Sequence, residues 1–547
     1  MFRLLVFGLC YSLVLGGPRT RPPHATPIPT TVDLGYAKYQ GVNFEAGIKQ
    51  WLGMRYAASP VGGLRWRAPE DPVSNSTVQA ADAFGPVCIG VGQDISDTLN
   101  EDCLRINIFS PANAAEQSKL PVWFFIQGGG YARNTDQNFN GADVILRSGG
   151  NIVFAQINYR VGAFGFLASE RVKRNGDLNV GILDQRKALH WAQKYIYKCT
   201  VRRRPKHVVI HGDSAGAGSV ALHLAAYGGR DDHLFVGGVG ESVFFPAQMQ
   251  VPEFEFQFND FVNNSGCSSS NDQLACLRSK DLATFQAANS ARAPFPGADG
   301  IPNFSYTPCI DGDLLEDYPY RLYQRGKFVK VPVMMGDDTD EGTGFSPNVS
   351  TPAEVSTFLH NNYPWLTRQD LAIVNRLYPK MTLLPKHSAY FPSAAAAYGE
   401  VTFVCPGLLI SDEMSSRYSA QKVFNYRYNV LNQQNIQNGF GVPHVFEKAA
   451  IFGVGMAGAQ TGVGSSYETY NANIIPVVMD YWINFVRFLN SNGPRGRASS
   501  VQWEQFELRG RWERIVLETN NTRMEEVPRE QRLRCQFWNR LTPHTQA

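Results

Sequence analysis

The sequence predicts an α/β protein: one large, mostly parallel sheet flanked by helices, elaborated by insertions, rather than a string of small domains. Three observations carry this. The runs "PVWFFIQ" (121–127), "NIVFAQINY" (151–159) and "KHVVIHG" (206–212) are continuously apolar, as strands buried on both faces must be. Segments with helical spacing, "LDQRKALHWAQKYI" and "AGSVALHLAAYG", alternate with them, and strand–helix alternation favours parallel pairing. Finally, 44% of the 547 residues are hydrophobic, enough for a large core, and no internal repeat, low-complexity block or long linker divides the chain.

Taken in order, residues 1–17, "MFRLLVFGLCYSLVLGG", read as a signal peptide. Arg3 supplies the positive start, Leu4 to Leu15 the apolar centre, and Gly16-Gly17 a small-residue exit. The apolar run is too short for a membrane anchor, no other long one is expected, and "LTPHTQA" at the end lacks a lipid-anchor tail. The expectation is therefore a secreted protein without stable membrane association, its α/β domain occupying 18–547 after a short extended arm, "RTRPPHATPIPTT". Five Asn-x-Ser/Thr triplets, at Asn75, Asn263, Asn303, Asn348 and Asn520, are candidate glycosylation sites on that route. With Cys10 removed, eight cysteines remain for an oxidising compartment, their pairing open at this point. The balance of 51 basic to 48 acidic residues argues against a nucleic-acid partner. No cluster of metal-ligating spacing stands out, so neither a metal nor an organic cofactor is expected.

The chemistry concentrates at "HVVIHGDSAGAGSVALHL" (207–224), where a strand becomes a helix across Gly212-Asp213-Ser214-Ala215-Gly216. A serine hydroxyl is a poor nucleophile unless it is exposed beside a base. A G-x-S-x-G turn supplies the exposure, being so sharp that side chains on its flanking residues would strike the neighbouring strand and helix. The following helix N-terminus favours developing negative charge at Ser214. Upstream, Gly128-Gly129-Gly130 follows a strand. Glycines let backbone amides approach a tetrahedral oxyanion closely, so Gly129, Gly130 and the amide of Ala215 are the candidate oxyanion hole.

These motifs, in series, resemble the type-B carboxylesterase family of α/β-hydrolases, which includes cholinesterases and large fungal lipases. "YQGVNFEAGIKQWLGMRYAASPVGGLRWRAPE", "NEDCLRINIFSP", "NYRVGAFGFLAS", "GDLNVGILDQRKALHWAQ" and "GDSAGAGSVALHL" follow one another as in that family, over nearly the whole chain after the leader. "AYGGRDDHLFVGGVGESVFF" resembles secreted filamentous-fungal members. The resemblance implies an α/β-hydrolase fold and a triad in the order serine, acid, histidine. The acid falls at Glu341 in "VMMGDDTDEGTGF", although Asp337, Asp338 and Asp340 could each orient an imidazole on chemical grounds. The base falls at His444 in "GFGVPHVFEK"; His207 and His211 share the strand of the nucleophile and cannot easily reach round to it. A supporting serine is implied at Ser242, and Phe244 and Phe245 are candidates for an acyl pocket. The family's disulfides carry over as Cys88–Cys103, Cys267–Cys276 and Cys405–Cys535, leaving Cys199 and Cys309 free.

Two departures shape the expected substrate and the reading of one turn. Only fourteen residues separate Cys88 from Cys103, and "IGVGQDISDTLNED" has neither the choline-stacking tryptophan of cholinesterases nor the apolar surface of a lipase lid. A soluble small-molecule ester of moderate acyl chain is expected; a lipase or sterol esterase, or a non-catalytic adhesion relative, are the alternatives. Before the nucleophile strand, relatives read Phe-Gly-Gly-Asp-Pro where this chain reads Val201-Arg202-Arg203-Arg204-Pro205. The run can be encoded GTT CGG CGG CGA CCC, which less its first base reads TTC GGC GGC GAC CC, or Phe-Gly-Gly-Asp-Pro, so a local frame disturbance is one reading and a genuine basic surface loop the other. A transcript encoding the arginines in frame would end the first.

Overall fold

Why the apolar runs are continuous is visible in where their side chains go. In the strand Val122–Ile126, Val122, Phe124 and Ile126 enter one hydrophobic core, while Trp123 and Phe125 enter a second. Val208 and Ile210 divide from Val209 in the same way. Successive side chains point to opposite faces, so a strand covered on both sides is apolar at most positions, and a polar residue it does carry, such as His211, is held by hydrogen bonds. Each fully buried Val, Ile or Phe contributes about 1.5–3 kcal/mol relative to exposure.

The computed structural model describes residues 30–547, apart from 45–46, 115–118, 136–137, 201–206, 291, 456–465, 494–500 and 509. The leader at 1–17 and the arginine run lie outside the described residues. Among the described residues the main sheet has twelve strands. In chain order they are β1 (Val42–Phe44), β2 (Ile48–Arg55), β3 (Arg105–Pro111), β4 (Val122–Ile126), β5 (Val153–Ile157) and β6 (Val208–Asp213). There follow β7 (Gly237–Glu241), β8 (Val333–Asp338), β9 (Val423–Tyr428), β10 (Glu507–Leu508), β11 (Arg511–Leu517) and β12 (Arg523–Glu526). Their spatial order is β10-β11-β9-β8-β7-β6-β4-β5-β3-β2-β1, with β12 also beside β11. The centre, from β5 through β4, β6, β7, β8 and β9 to β11, is parallel; the outer pairs are antiparallel. This is the α/β-hydrolase architecture that the resemblance implies.

The two expected helices form as Val180–Tyr195 and Ala215–Gly229, the latter broken near its end where Tyr227 and Gly228 take positive φ. Among the described residues three disulfides close: Cys88–Cys103, Cys267–Cys276 and Cys405–Cys535. The last spans 130 residues and ties the helix Arg529–Arg540 to Cys405–Met414. In the chain-entropy account, closing so long a loop contributes roughly 4–5 kcal/mol. Cys199 and Cys309 are free and buried. One expectation needs correcting. A second stretch, Phe391–Lys422, is long and apolar enough to cross a membrane, but 94% of its most apolar window is buried inside the fold, so its apolarity is that of a core helix.

Candidate active site

Ser214 stands at the turn between β6 and the helix Ala215–Gly229, with φ 53° and ψ −122°. A non-glycine residue held there stores about 1–3 kcal/mol of strain, which the neighbouring structure must over-determine. Its N–H donates to the Glu241 carbonyl at 2.7 Å, and its own carbonyl accepts from the Gly218 N–H at 2.9 Å. The flanking glycines are obligatory. A Cβ on Gly216 would lie 1.9 Å from the Ile126 carbonyl oxygen on β4, and one on Gly212 would lie 2.3 Å from the Gly216 oxygen. The strand and helix approach each other too closely for any side chain between them.

Gly129 and Gly130 line the same cavity as Ser214. Gly129 has φ 117°, and a Cβ there would meet the Arg133 carbonyl oxygen at 1.9 Å. Ala215, fully buried, opens the helix beside the serine.

The acid and histidine arrive from distant segments. Glu341, just beyond β8, places one carboxylate oxygen 2.5 Å from Nδ1 of His444, and its other oxygen accepts the Asp338 N–H at 2.7 Å. Its rivals are occupied elsewhere. Asp338 accepts the Phe446 N–H, Asp340 accepts the Val442 N–H, and Asp337 lies 3.6 Å from the Arg514 guanidinium. His444 lies against Phe403, ring centroids 4.2 Å apart, and edge-on to Phe345 at 5.1 Å. Phe403 sits in the first of two π-helical stretches of the long core helix, Glu400–Val404, a local widening that recurs at functional sites. His211 has a different task. It accepts from the Trp123 indole N–H at 2.7 Å and donates from Nε2 to Glu241, fixing its tautomer away from Ser214.

Burial pushes the Glu341 pKa upward, opposed by the Ser242 hydroxyl and the Asp338 N–H. Ser242 is buried with φ 57° at the end of β7; its hydroxyl favours the ionised carboxylate without closing a hydrogen bond of good geometry. Around it stand further buried carboxyls. Asp338, Glu241 and Glu447 are all raised, first by desolvation; the charge of Glu447 raises Asp338 and Glu241 further, and that of Glu341 raises Asp338 and Glu447.

Sequence reasoning missed a buried ion pair on the cavity wall. Lys448 Nζ lies 2.7 Å from one oxygen of Asp213, whose other oxygen accepts the Gly128 N–H at 2.8 Å. One side chain thus joins the nucleophile turn, the glycine turn and the histidine segment. The only signal available was position, with Asp213 beside the serine and Lys448 four residues beyond His444.

The cavity shared by Ser214 and His444 measures about 300 Å³. Its aromatic lining is Phe304 and Phe345, not the residues expected. Phe244 and Phe245 are wholly buried one layer behind. Phe244 packs on Phe304 at 4.8 Å and on Phe403 at 5.5 Å, and Phe245 packs edge-on to Tyr320. Both follow the sharp Ser242 turn inward, so Phe244 backs the wall through Phe304 and Phe245 lies in the core beside Tyr320.

The candidate glycosylation sites divide similarly. Asn75, Asn263, Asn348 and Asn520 are exposed. Asn303 instead lines the cavity, half-buried, and donates its amide to the Phe345 carbonyl at 3.2 Å. A glycan there would have to break that bond and fill the cavity. Peptide mass mapping of protein from a glycosylating host is expected to find Asn303 bare, whatever the occupancy of the exposed four.

The profile of the Carboxylesterase family matches residues 29–538. The crystal structure of Aspergillus niger EstA superposes with a TM-score of 0.92 at 51% identity, covering 95% of this chain and 99% of that one. "Lipase 2" of Geotrichum candidum is 27% identical over 520 residues, 85% of this chain and 88% of the relative. "Secreted lipase 4" of Gibberella zeae is 27% identical over 517 residues, 90% and 88% of the two chains. A nucleophile turn, a glycine turn and a carboxylate-bound imidazole around one cavity are what acyl transfer requires, and the matches extend over most of the chain. It is a carboxylic ester hydrolase, and it belongs to the carboxylesterase family.

Proposed function

We propose that the protein is a secreted serine carboxylesterase cleaving soluble esters of moderate acyl length through an acyl-enzyme on Ser214. His444 takes the Ser214 proton as the oxygen attacks the ester carbonyl, and the amides of Gly129, Gly130 and Ala215 receive the oxyanion. The imidazolium returns that proton to the departing alcohol. Water, deprotonated by the same imidazole, then attacks the acyl-serine, and the acid leaves with Ser214 restored. Glu341 fixes the tautomer with Nδ1 protonated and stabilises the imidazolium, with Ser242 supporting the carboxylate.

The observation that carries this reading is the 2.5 Å contact between Glu341 and His444 Nδ1, with His444 and Ser214 on the wall of one cavity. Secretion is supported by the leader, by the three disulfides and by secreted fungal relatives. The names of those relatives favour one second reading, a lipase. Against it stand a cavity of about 300 Å³ and the short Cys88–Cys103 loop. A series of p-nitrophenyl esters of rising acyl length separates the two. Turnover is expected to peak among short to medium soluble chains, and a rate that climbs on micellar long-chain esters would favour the lipase.

A further inference from the structure

Among the described residues, the charges on the cavity wall do not balance. Lys448 is neutralised by Asp213, but Arg133 and Arg292 also line the cavity. Both are exposed, and neither enters an ion pair among the described residues. We infer that the preferred substrate is an ester bearing a carboxylate, held by Arg133 and Arg292 at the edge of the cavity next to Val91. This rests on the ester-hydrolase reading above and narrows its substrate class.

The two arginines reach one edge by different routes. Arg133 follows the glycine turn, its N–H donating to the Gly129 carbonyl at 3.0 Å, and its guanidinium lies near Gly92, where a Cβ would be 3.9 Å from Nη2. The Gly92 N–H donates to the Ser290 hydroxyl at 3.2 Å, which brings the segment carrying Arg292 to the same place. The edge is fixed on both sides: the Val91 N–H donates to the Ala132 carbonyl at 2.8 Å, and the Cys88–Cys103 disulfide closes the loop that bears Val91 and Gly92. Two guanidinium forks at one edge suit the planar, two-oxygen geometry of a carboxylate. A concave wall of one sign also concentrates substrates of the other. Phe304 and Phe345 are left to pack the uncharged part of the ester.

The test compares matched neutral and anionic esters, because each ratio of kcat/KM cancels the chemistry common to the pair. With charge on the acyl part, the p-nitrophenyl half-ester of glutaric acid is set against p-nitrophenyl valerate. With charge on the alcohol part, the butyrate ester of p-hydroxybenzoic acid is set against that of its methyl ester. In at least one pair the anionic ester is expected to lead by about 3- to 20-fold at low salt, a range suited to two exposed cations. That lead should shrink several-fold between about 20 mM and about 500 mM salt, as screening shortens the reach of the field. In the double variant Arg133→Gln, Arg292→Gln the same ratio should fall towards one, and the pair that responds tells which part of the ester bears the charge. Ratios at or below one in both pairs, or a ratio that neither salt nor the double variant moves, would overturn the proposal. Failure to cleave any of the four esters would instead strike the ester-hydrolase reading itself.

Discussion

Ser214→Ala is expected to lower kcat on p-nitrophenyl esters by a factor on the order of 10⁵ to 10⁶, leaving only what positioning and the oxyanion amides contribute. The change removes one oxygen from a side chain that is 7% exposed and leaves the turn, with its φ of 53°, in place. Strain at the turn is a property of the backbone there, so the thermal midpoint should move by no more than a degree or two. Intact-mass measurement during turnover gives the complementary readout: the unaltered chain gains the acyl mass and the variant does not. Turnover retained in the variant, or acyl mass found on another residue, would remove Ser214 from the mechanism.

Glu341→Gln should lower kcat by about 10⁴-fold while leaving the fold intact or firmer. The amide can present its NH₂ to Nδ1 and so favour the tautomer with the proton on Nε2, where it can no longer accept from the serine. Stability should move the other way for an electrostatic reason. Burial raises the Glu341 pKa above its unfolded value, and its charge raises those of Asp337, Asp338 and Glu447 in turn. A carboxyl raised in this sense favours the folded state at low pH, and that advantage is lost as pH climbs from the unfolded pKa through the folded one. Glutamine never ionises, so at neutral pH the variant escapes that loss and relieves its neighbours. A thermal midpoint equal to or above the parent's, with activity nearly gone, separates a lost role in catalysis from a lost fold. A midpoint several degrees lower would mean that the carboxylate is chiefly structural.

The parts of the site that were legible beforehand share a property: each is written in a few consecutive residues. The G-x-S-x-G turn could be read because its requirement is local, a close approach of strand and helix with no room for a Cβ at Gly212 or Gly216. The glycine turn after β4 was readable for the same reason. Glu341 and His444 were reached through motif resemblance, because chemistry alone left four carboxylates in five residues as equals. What separates them is the β8 turn, which hands Asp338 and Asp340 to backbone amides and Asp337 to the Arg514 guanidinium, and leaves Glu341 for the imidazole.

The amino-acid order by itself therefore determined the alternation of strands and helices and the sharp turn at Ser214, which follow from periodicity or sterics within a short window, and, through the resemblance of its motifs to a known family, the class of reaction. Tertiary structure alone decided what surrounds the reacting atoms. It set Phe244 and Phe245 behind the wall and brought Phe304 and Phe345 forward, turned Asn303 from the surface into the cavity, paired Lys448 with Asp213, and left Arg133 and Arg292 beside them with no ion pair among the described residues. These outcomes depend on segments scores to hundreds of residues apart meeting across the sheet. Which side chain is nearest at such a meeting is fixed by the packing of the whole core, which no short window of sequence contains.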